Sequence, residues 1–167
     1  AEYGDPGYLE YWQRLKENGV VVVNDWETAY YTSFSGSSGQ GPQPMVVSYG
    51  TSPAAEVIFS ETELQHAPTA SLVGDNMCYR QIEFVGILNG TRNRALAEKF
   101  VDFMLDVDFQ QDIPLNMFVF PANERAALPE EFNLHIQTPE KPAQLPLDLI
   151  SDKREEWITA WRELMLQ

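Results

Sequence analysis

A chain of 167 residues with 44% apolar and 12% aromatic side chains has the makings of a packed core rather than of a disordered segment. Lys plus Arg number 11 against 25 Asp plus Glu, a formal charge of −14 that repels nucleic-acid phosphates and anionic lipid surfaces, so nucleic acid is not expected as a partner. No apolar run approaches the roughly 20 residues of a membrane helix, and the single cysteine, Cys78, excludes an internal disulfide or a cysteine-rich metal site.

The first residues, Ala1-Glu2-Tyr3-Gly4-Asp5, carry no export signal, which a mature chain would have lost. Asp5-Pro6 can cap and open a first helix, with Tyr8, Tyr11, Trp12 and Leu15 at helical spacing and Asn18-Gly19 closing it. Val20 to Val23 follow as a short β-branched run, apolar on both faces, which suits a central strand. Asn24, with Glu27 three residues on, resembles a capping box and puts Trp26 in the first turn of a helix through Ala29-Tyr30-Tyr31. An indole there either packs or offers a flat π face to a ligand. Ser35 to Gly41 reads as a Gly/Ser connector, lacking the lysine and context of a phosphate loop.

Met45-Val46-Val47 is an apolar run entered through Pro42 and Pro44, and it ends abruptly in Ser48-Tyr49-Gly50-Thr51-Ser52-Pro53. That pattern reads as a strand opening into a loop of amides and hydroxyls, the place where open α/β sheets bind ligands. A plain strand-to-loop junction is the alternative. Ala54 to Phe59 can form a short helix before an extended passage in which His66 stands alone. Cys78 to Leu88 reads as one or two strands bounded by Asn89-Gly90.

Arg94 to Leu105 is the clearest amphipathic helix, with Leu96, Phe100, Phe103 and Met104 on one stripe. Asp106 can cap a second helix, Val107 to Asp112, stopped at Ile113 by Pro114. Met117 to Phe120 reads as a strand with Phe118 and Phe120 on one side, either core or pocket wall. A final helix, Leu147 to Leu166, carries Ile150, Trp157, Ile158, Trp161 and Met165 along a seam. The whole pattern points to α/β.

Catalysis has little to stand on. Ser48 lacks the Gly-flanked elbow of hydrolases, the histidines are isolated, and no spacing matches a zinc or calcium site. Asp25 and Glu27 could pair as acid and base, though capping explains them too. For binding, Trp26, Tyr49 and Phe118 supply aromatic faces, and Gly50, Thr51 and Ser52 supply amides and hydroxyls. A cation against such a face gains about 0.5 to 2 kcal/mol.

At these residues the sequence resembles the thiamine-binding component of bacterial ABC importers, a branch of the periplasmic-binding-protein superfamily. The likeness rests on Asn24-Asp25-Trp26-Glu27-Thr28-Ala29-Tyr30, Val47-Ser48-Tyr49-Gly50-Thr51-Ser52-Pro53-Ala54 and Ala97-Glu98-Lys99-Phe100-Val101-Asp102-Phe103-Met104. Phe109-Gln110, Ile113-Pro114, Phe120-Pro121 and Trp157-Ile158 with Trp161 extend it. The family's ligand-contacting tryptophan falls on Trp26 and its strand-end loop on Tyr49 to Pro53. Two family aromatics differ: a tyrosine after the loop is Ala55 here, and a tryptophan before the late strand is Phe118. The cage is thus thinner on at least one side.

The resemblance implies an α/β, two-lobed type 2 binding-protein fold of which this chain is roughly the second half. Residues 1–53 would carry the ligand loop, 54–113 return toward the first lobe, and 114–167 complete the second lobe. It implies a binding protein rather than an enzyme, no cofactor, thiamine or thiamine phosphate as ligand, and a membrane permease as partner. Its location would be periplasmic or extracellular, anchored to the membrane, if at all, through a missing N-terminal region rather than by direct insertion. An isolated piece would self-associate to cover exposed surface. A sibling receptor for ferric iron or another small anion is the nearest alternative. Iron-binding relatives place adjacent tyrosines where this chain has Ala54-Ala55, and Tyr30-Tyr31 lies on the preceding helix. From other classes, a small acid-base hydrolase using Asp25 and Glu27, or an interaction domain, remain open.

Overall fold

The computed structural model describes residues 2–38 and 40–167; Ala1, and Gly39 of the expected Gly/Ser connector, lie outside the described residues. In chain order the helical elements are α1 (Gly7–Glu17), a π-helical turn (Thr28–Ser33), α2 (Ser35–Ser38), α3 (Ser52–Ile58), α4 (Arg94–Leu105), α5 (Val107–Met117), α6 (Glu130–His135) and α7 (Leu147–Met165). Among the described residues no helix is long and apolar enough to cross a membrane. The chain divides into two compact units, one made of Ala1–Ser48, Leu72–Arg80 and Thr138–Gln167, the other of Tyr49–Ser71 and Gln81–Gln137.

The first unit is built on α1 against α7, both close to their expected bounds. Trp12 meets Trp161 edge to face at 5.8 Å, and Tyr8 meets Trp157 in the same way at 6.4 Å, so the aromatic seam of α7 has its partner on α1. Lys16 donates from Nζ to the carbonyls of Leu164 (2.6 Å) and Gln167 (3.0 Å), a cation at the electronegative end of α7. Helix α1 closes as expected on Gly19, whose φ of +77° only glycine adopts cheaply. The amide of Val20 returns to Leu15 and that of Gly19 to Lys16, the paired bonds of a Schellman ending. Its start differs from expectation. No side chain caps α1, and the carbonyls of Gly4 and Pro6 accept from Tyr8 and Leu9 in place of the Asp5 carboxylate.

In the second unit α3 packs on α6 and α4 on α5. Its organising residue is Gln110 of α5, 7% exposed. The amide oxygen accepts from the backbone N–H of Ala122 (2.6 Å) and Asn123 (3.3 Å), while Nε2 donates to the Met104 carbonyl (2.7 Å). One side chain thus ties the chain before α5 to the chain after it. Asp106 caps α5 as expected, accepting from the Val107 amide at 2.7 Å. Phe132 of α6 is buried and takes Phe120 edge to face at 5.7 Å.

Two expectations about α5 fail together. The helix continues through Pro114 to Met117, because the proline ring is fully buried and its packing offsets the one hydrogen bond its missing N–H forgoes. Phe118 then ends the helix in the left-handed region, φ +54°, donating to the Pro114 carbonyl at 3.2 Å. It is a helix terminus and not a strand residue. Phe118 packs on Phe59 at 4.9 Å while Phe120 goes to Phe132, so the two do not share a side.

The α/β expectation is met only in its helices. Among the described residues the runs Val20 to Val23, Met45 to Val47 and Cys78 to Leu88 form no strand, and the pairings are two isolated parallel bridges, Phe34 with Gln43 and Tyr79 with Ala143. The physical reason is non-local. A β-branched run favours extended backbone, but a strand exists only when a neighbour accepts and donates along its length. These runs have no such ladder, and Val47 and Phe84 are left almost wholly exposed. The α4 stripe behaves alike: Leu96, Phe100 and Phe103 are all exposed, although the helix has its expected bounds.

Gln110→Met would keep most of the volume and orphan two amides and a carbonyl, so the unfolding free energy should fall by about 2 to 4 kcal/mol. The check is a urea titration, with a lower midpoint at unchanged slope. Asn123→Ala, which removes two exposed bonds, one to the Leu105 carbonyl and one from the Arg125 amide, should cost less, about 1 to 2 kcal/mol.

Candidate functional site

The segment from Asn24 to Phe34 is where chemistry is most concentrated in the first unit. Its cap is Asp25 rather than Asn24. The carboxylate accepts from the Thr28 amide (2.7 Å) through Oδ1 and from the Thr28 hydroxyl (3.0 Å) through Oδ2, and the Ala29 amide returns to the Asp25 carbonyl (3.2 Å). The Thr28 amide and then its hydroxyl hold the Asp25 carboxyl below its usual range, with burial opposing them and the Glu27 amide adding a lesser lowering. A carboxylate so engaged is a cap, which removes the simplest basis for an acid-base pair with Glu27.

Beyond this start the backbone widens into the π-helical turn, closed by the Phe34 amide on the Ala29 carbonyl five residues earlier at 3.0 Å. On it stands an aromatic group. Tyr30, 3% exposed, stacks on Trp26 with centroids 4.9 Å apart and planes 18° from parallel. Tyr31 stands across Trp26 at 5.5 Å and 81°, and across Tyr30 at 5.4 Å and 83°. Phe34 backs Tyr30 at 5.6 Å. The indole N–H of Trp26 donates to the Ser48 hydroxyl at 3.0 Å, fixing the ring's rotation. Trp26 nevertheless stays 38% exposed. Of these partners Tyr30, Tyr31 and Ser48 were not foreseen as site residues; the i, i+4 spacing of Trp26 and Tyr30 was the available signal.

The hydroxyl loop follows directly in sequence and belongs to the second unit. Tyr49 is 55% exposed and Gly50 is exposed, while Thr51, Pro53 and Ala54 are buried. The Ser52 amide closes a turn on the Tyr49 carbonyl (3.1 Å), and the Thr51 carbonyl receives the amides of Ala54 (3.1 Å) and Ala55 (3.2 Å). Pro53 sits in the first turn of α3, where a missing N–H costs nothing. Ser71 donates its hydroxyl to the Gly50 carbonyl at 3.0 Å, bracing the bend from outside. The loop is therefore a helix start whose exposed members are Tyr49 and Gly50.

The structure separates Phe118 from this loop. Phe118 meets Phe59, which follows the carboxyl end of α3, whereas Tyr49 to Ser52 lie at its amino end. A seven-residue helix puts about 10 Å between those ends. Among the described residues no three His, Cys, Asp or Glu side chains gather as a metal site.

No family model matches the chain, and no solved structure does. Curated relatives do. The chain is 32% identical over 160 residues to the "Thiamine-binding periplasmic protein" of Brucella suis biovar 1 (strain 1330), covering 95% of this chain and 45% of that protein. It is 30% identical over 160 residues to the protein of the same name from Salmonella typhimurium (strain LT2), and 28% to that of Escherichia coli (strain K12), in each case over 96% of this chain and 45% of the relative. The chain thus spans a little under half the length of the curated relatives it matches. Their names are those of binding proteins.

The Asp25 cap gives a pH test with a definite sign. A carboxyl whose pKa is lowered in the folded chain contributes stability above the ordinary carboxylate range and loses it as pH falls through the lowered value. Asp25→Ala should therefore depress the thermal midpoint at about pH 6, and the gap from the unsubstituted chain should close as pH falls below the ordinary carboxylate range. Scanning calorimetry of both chains across that range is the measurement.

Proposed function

We propose that this chain is part of a solute receptor that captures thiamine, or a phosphorylated or related cationic heterocycle, and hands it unchanged to the membrane permease of an ABC importer. The observation that carries the reading is the Trp26 indole: its nitrogen is tied to Ser48, its ring is stacked on buried Tyr30, and the residue stays 38% exposed. A ring held this firmly and still wet is suited to take a flat cation, because binding then costs little reordering. The names of the relatives support thiamine as the ligand. The Tyr49 to Pro53 loop belongs to the second unit, where it presents an exposed tyrosine and a bend braced by Ser71. Periplasmic or extracellular residence, and a two-lobed fold completed by further chain, belong to the same proposal. Ferric iron is the weaker reading, since Tyr30 is buried in a stack and so does not pair with Tyr31 as a second open phenolate.

Tryptophan fluorescence and titration calorimetry on the full-length protein, with thiamine and its mono- and diphosphate, test this directly. At least one should give a saturable response, and Trp26→Ala should weaken it by about tenfold or more. Trp161→Phe, on the α1–α7 seam, should leave it unchanged. Silence toward all three compounds, or full affinity in Trp26→Ala, would remove the assignment.

A further inference from the structure

We propose that Tyr31 is a second ligand-contacting residue of the Trp26 site, one that selects for positive charge and is set in place by the π-helical turn. The inference rests on the thiamine-type reading above and adds to it a residue that neither the Trp-x-x-Ala-Tyr pattern nor the hydroxyl loop identifies.

The geometry begins with periodicity. In an α-helix of 3.6 residues per turn, residue i+4 lies nearly above residue i, but residue i+5 is about 140° round the axis from it. Tyr30 could thus stack on Trp26 from a regular helix, whereas Tyr31 would point elsewhere. The turn closed by the Phe34 amide on the Ala29 carbonyl has i to i+5 bonding, which widens the backbone and brings residue i+5 back toward residue i. Both tyrosines consequently reach Trp26, at 4.9 Å and 5.5 Å. A π turn departs from the commoner α-helix, and such turns are frequently found at functional sites.

The two tyrosines then have different fates. Tyr30 is 3% exposed and fills the space behind the indole, with Phe34 behind it. Tyr31 is 56% exposed, so burial alone does not account for its aromatic ring. With the Trp26 and Tyr31 centroids 5.5 Å apart, a single cation can lie within about 6 Å of both, the reach of an attraction to a ring face. Within the first unit Tyr31 thus adds a second ring beside Trp26. Its role depends on the ring and on the ligand's charge, not on the phenolic hydroxyl.

The test uses the full-length protein, with thiamine and its neutral thiophene analogue as calorimetric probes. Tyr31→Ala should weaken thiamine by about three- to tenfold, and Tyr31→Phe should stay within about twofold of the unsubstituted protein. The neutral analogue should lose less than about twofold in Tyr31→Ala, because its central ring carries no charge for the π face to attract. Tyr31→Leu keeps apolar bulk without the π face and should follow Tyr31→Ala; the thermal midpoint shows which of the two retains the fold. Unchanged thiamine binding in both variants, with Trp26→Ala still impaired, overturns the role of Tyr31 and leaves the receptor reading standing. Equal losses for thiamine and the neutral analogue make Tyr31 a packing residue and likewise overturn it. A full-length protein that binds no thiamine overturns both.

Discussion

Every backbone amide of a helix start needs an acceptor, and the way the segment from Asp25 to Phe34 meets that need shapes the candidate site. The Asp25 carboxylate takes the first amide, the Asp25 carbonyl takes the second four residues on, and the Ala29 carbonyl takes the last five residues on. The change from four to five within one short segment is a change of helical pitch. It gives Trp26 two aromatic neighbours where a uniform pitch would give one. Burying Tyr30 offsets the poorer packing of the wider turn, since its ring loses nearly all contact with water. The π turn, the cap and the stack are therefore one arrangement: loss of the cap loosens the turn, and loss of the turn re-aims Tyr31.

Gln110 plays the corresponding part in the second unit by a different route. A buried amide side chain is costly unless its groups are matched, and here the oxygen serves two backbone donors while the nitrogen serves one carbonyl. It joins the end of α4 to the segment beyond α5, so both flanks of α5 are fixed by one residue. The loop Tyr49 to Pro53 is held by means that are more local, with Thr51 buried as the cap position, Pro53 fixing the first turn of α3 and Ser71 bracing the Gly50 carbonyl.

What was legible in the residues follows from which interactions are local. Helices α1, α4 and α7 could be placed from apolar spacing and turn residues because each amide finds its acceptor within its own segment. The Asp106 cap was legible for the same reason. The strands were not, because a β-branched run states a preference for extension and says nothing about whether a neighbour will pair with it. Pro114 misled by the opposite failure: its local rule is to stop a helix, and a buried ring in a tertiary setting overrode that rule. At the candidate site Trp26 and the Tyr49 loop were visible as residue types, but the Tyr31 contact was not. Helical spacing assumes a constant pitch, and the pitch changes within the segment itself.

The acidic charge and the aromatic group could both favour a cationic ligand, and their magnitudes decide which one matters. Charges on an exposed surface are screened within about 8 Å at physiological ionic strength, so most of the −14 is silent at any one ring. What the net charge can do is raise the rate at which a cation arrives, an effect that falls with added salt. A ring face acts at contact, contributes about 0.5 to 2 kcal/mol and more as water is excluded, and depends little on salt. Two such faces from Trp26 and Tyr31 would account for about 1 to 4 kcal/mol of preference for a charged heterocycle over a neutral one of the same shape. On the proposed reading, selectivity rests with the few rings around Trp26, and the pitch of one helical turn sets their geometry.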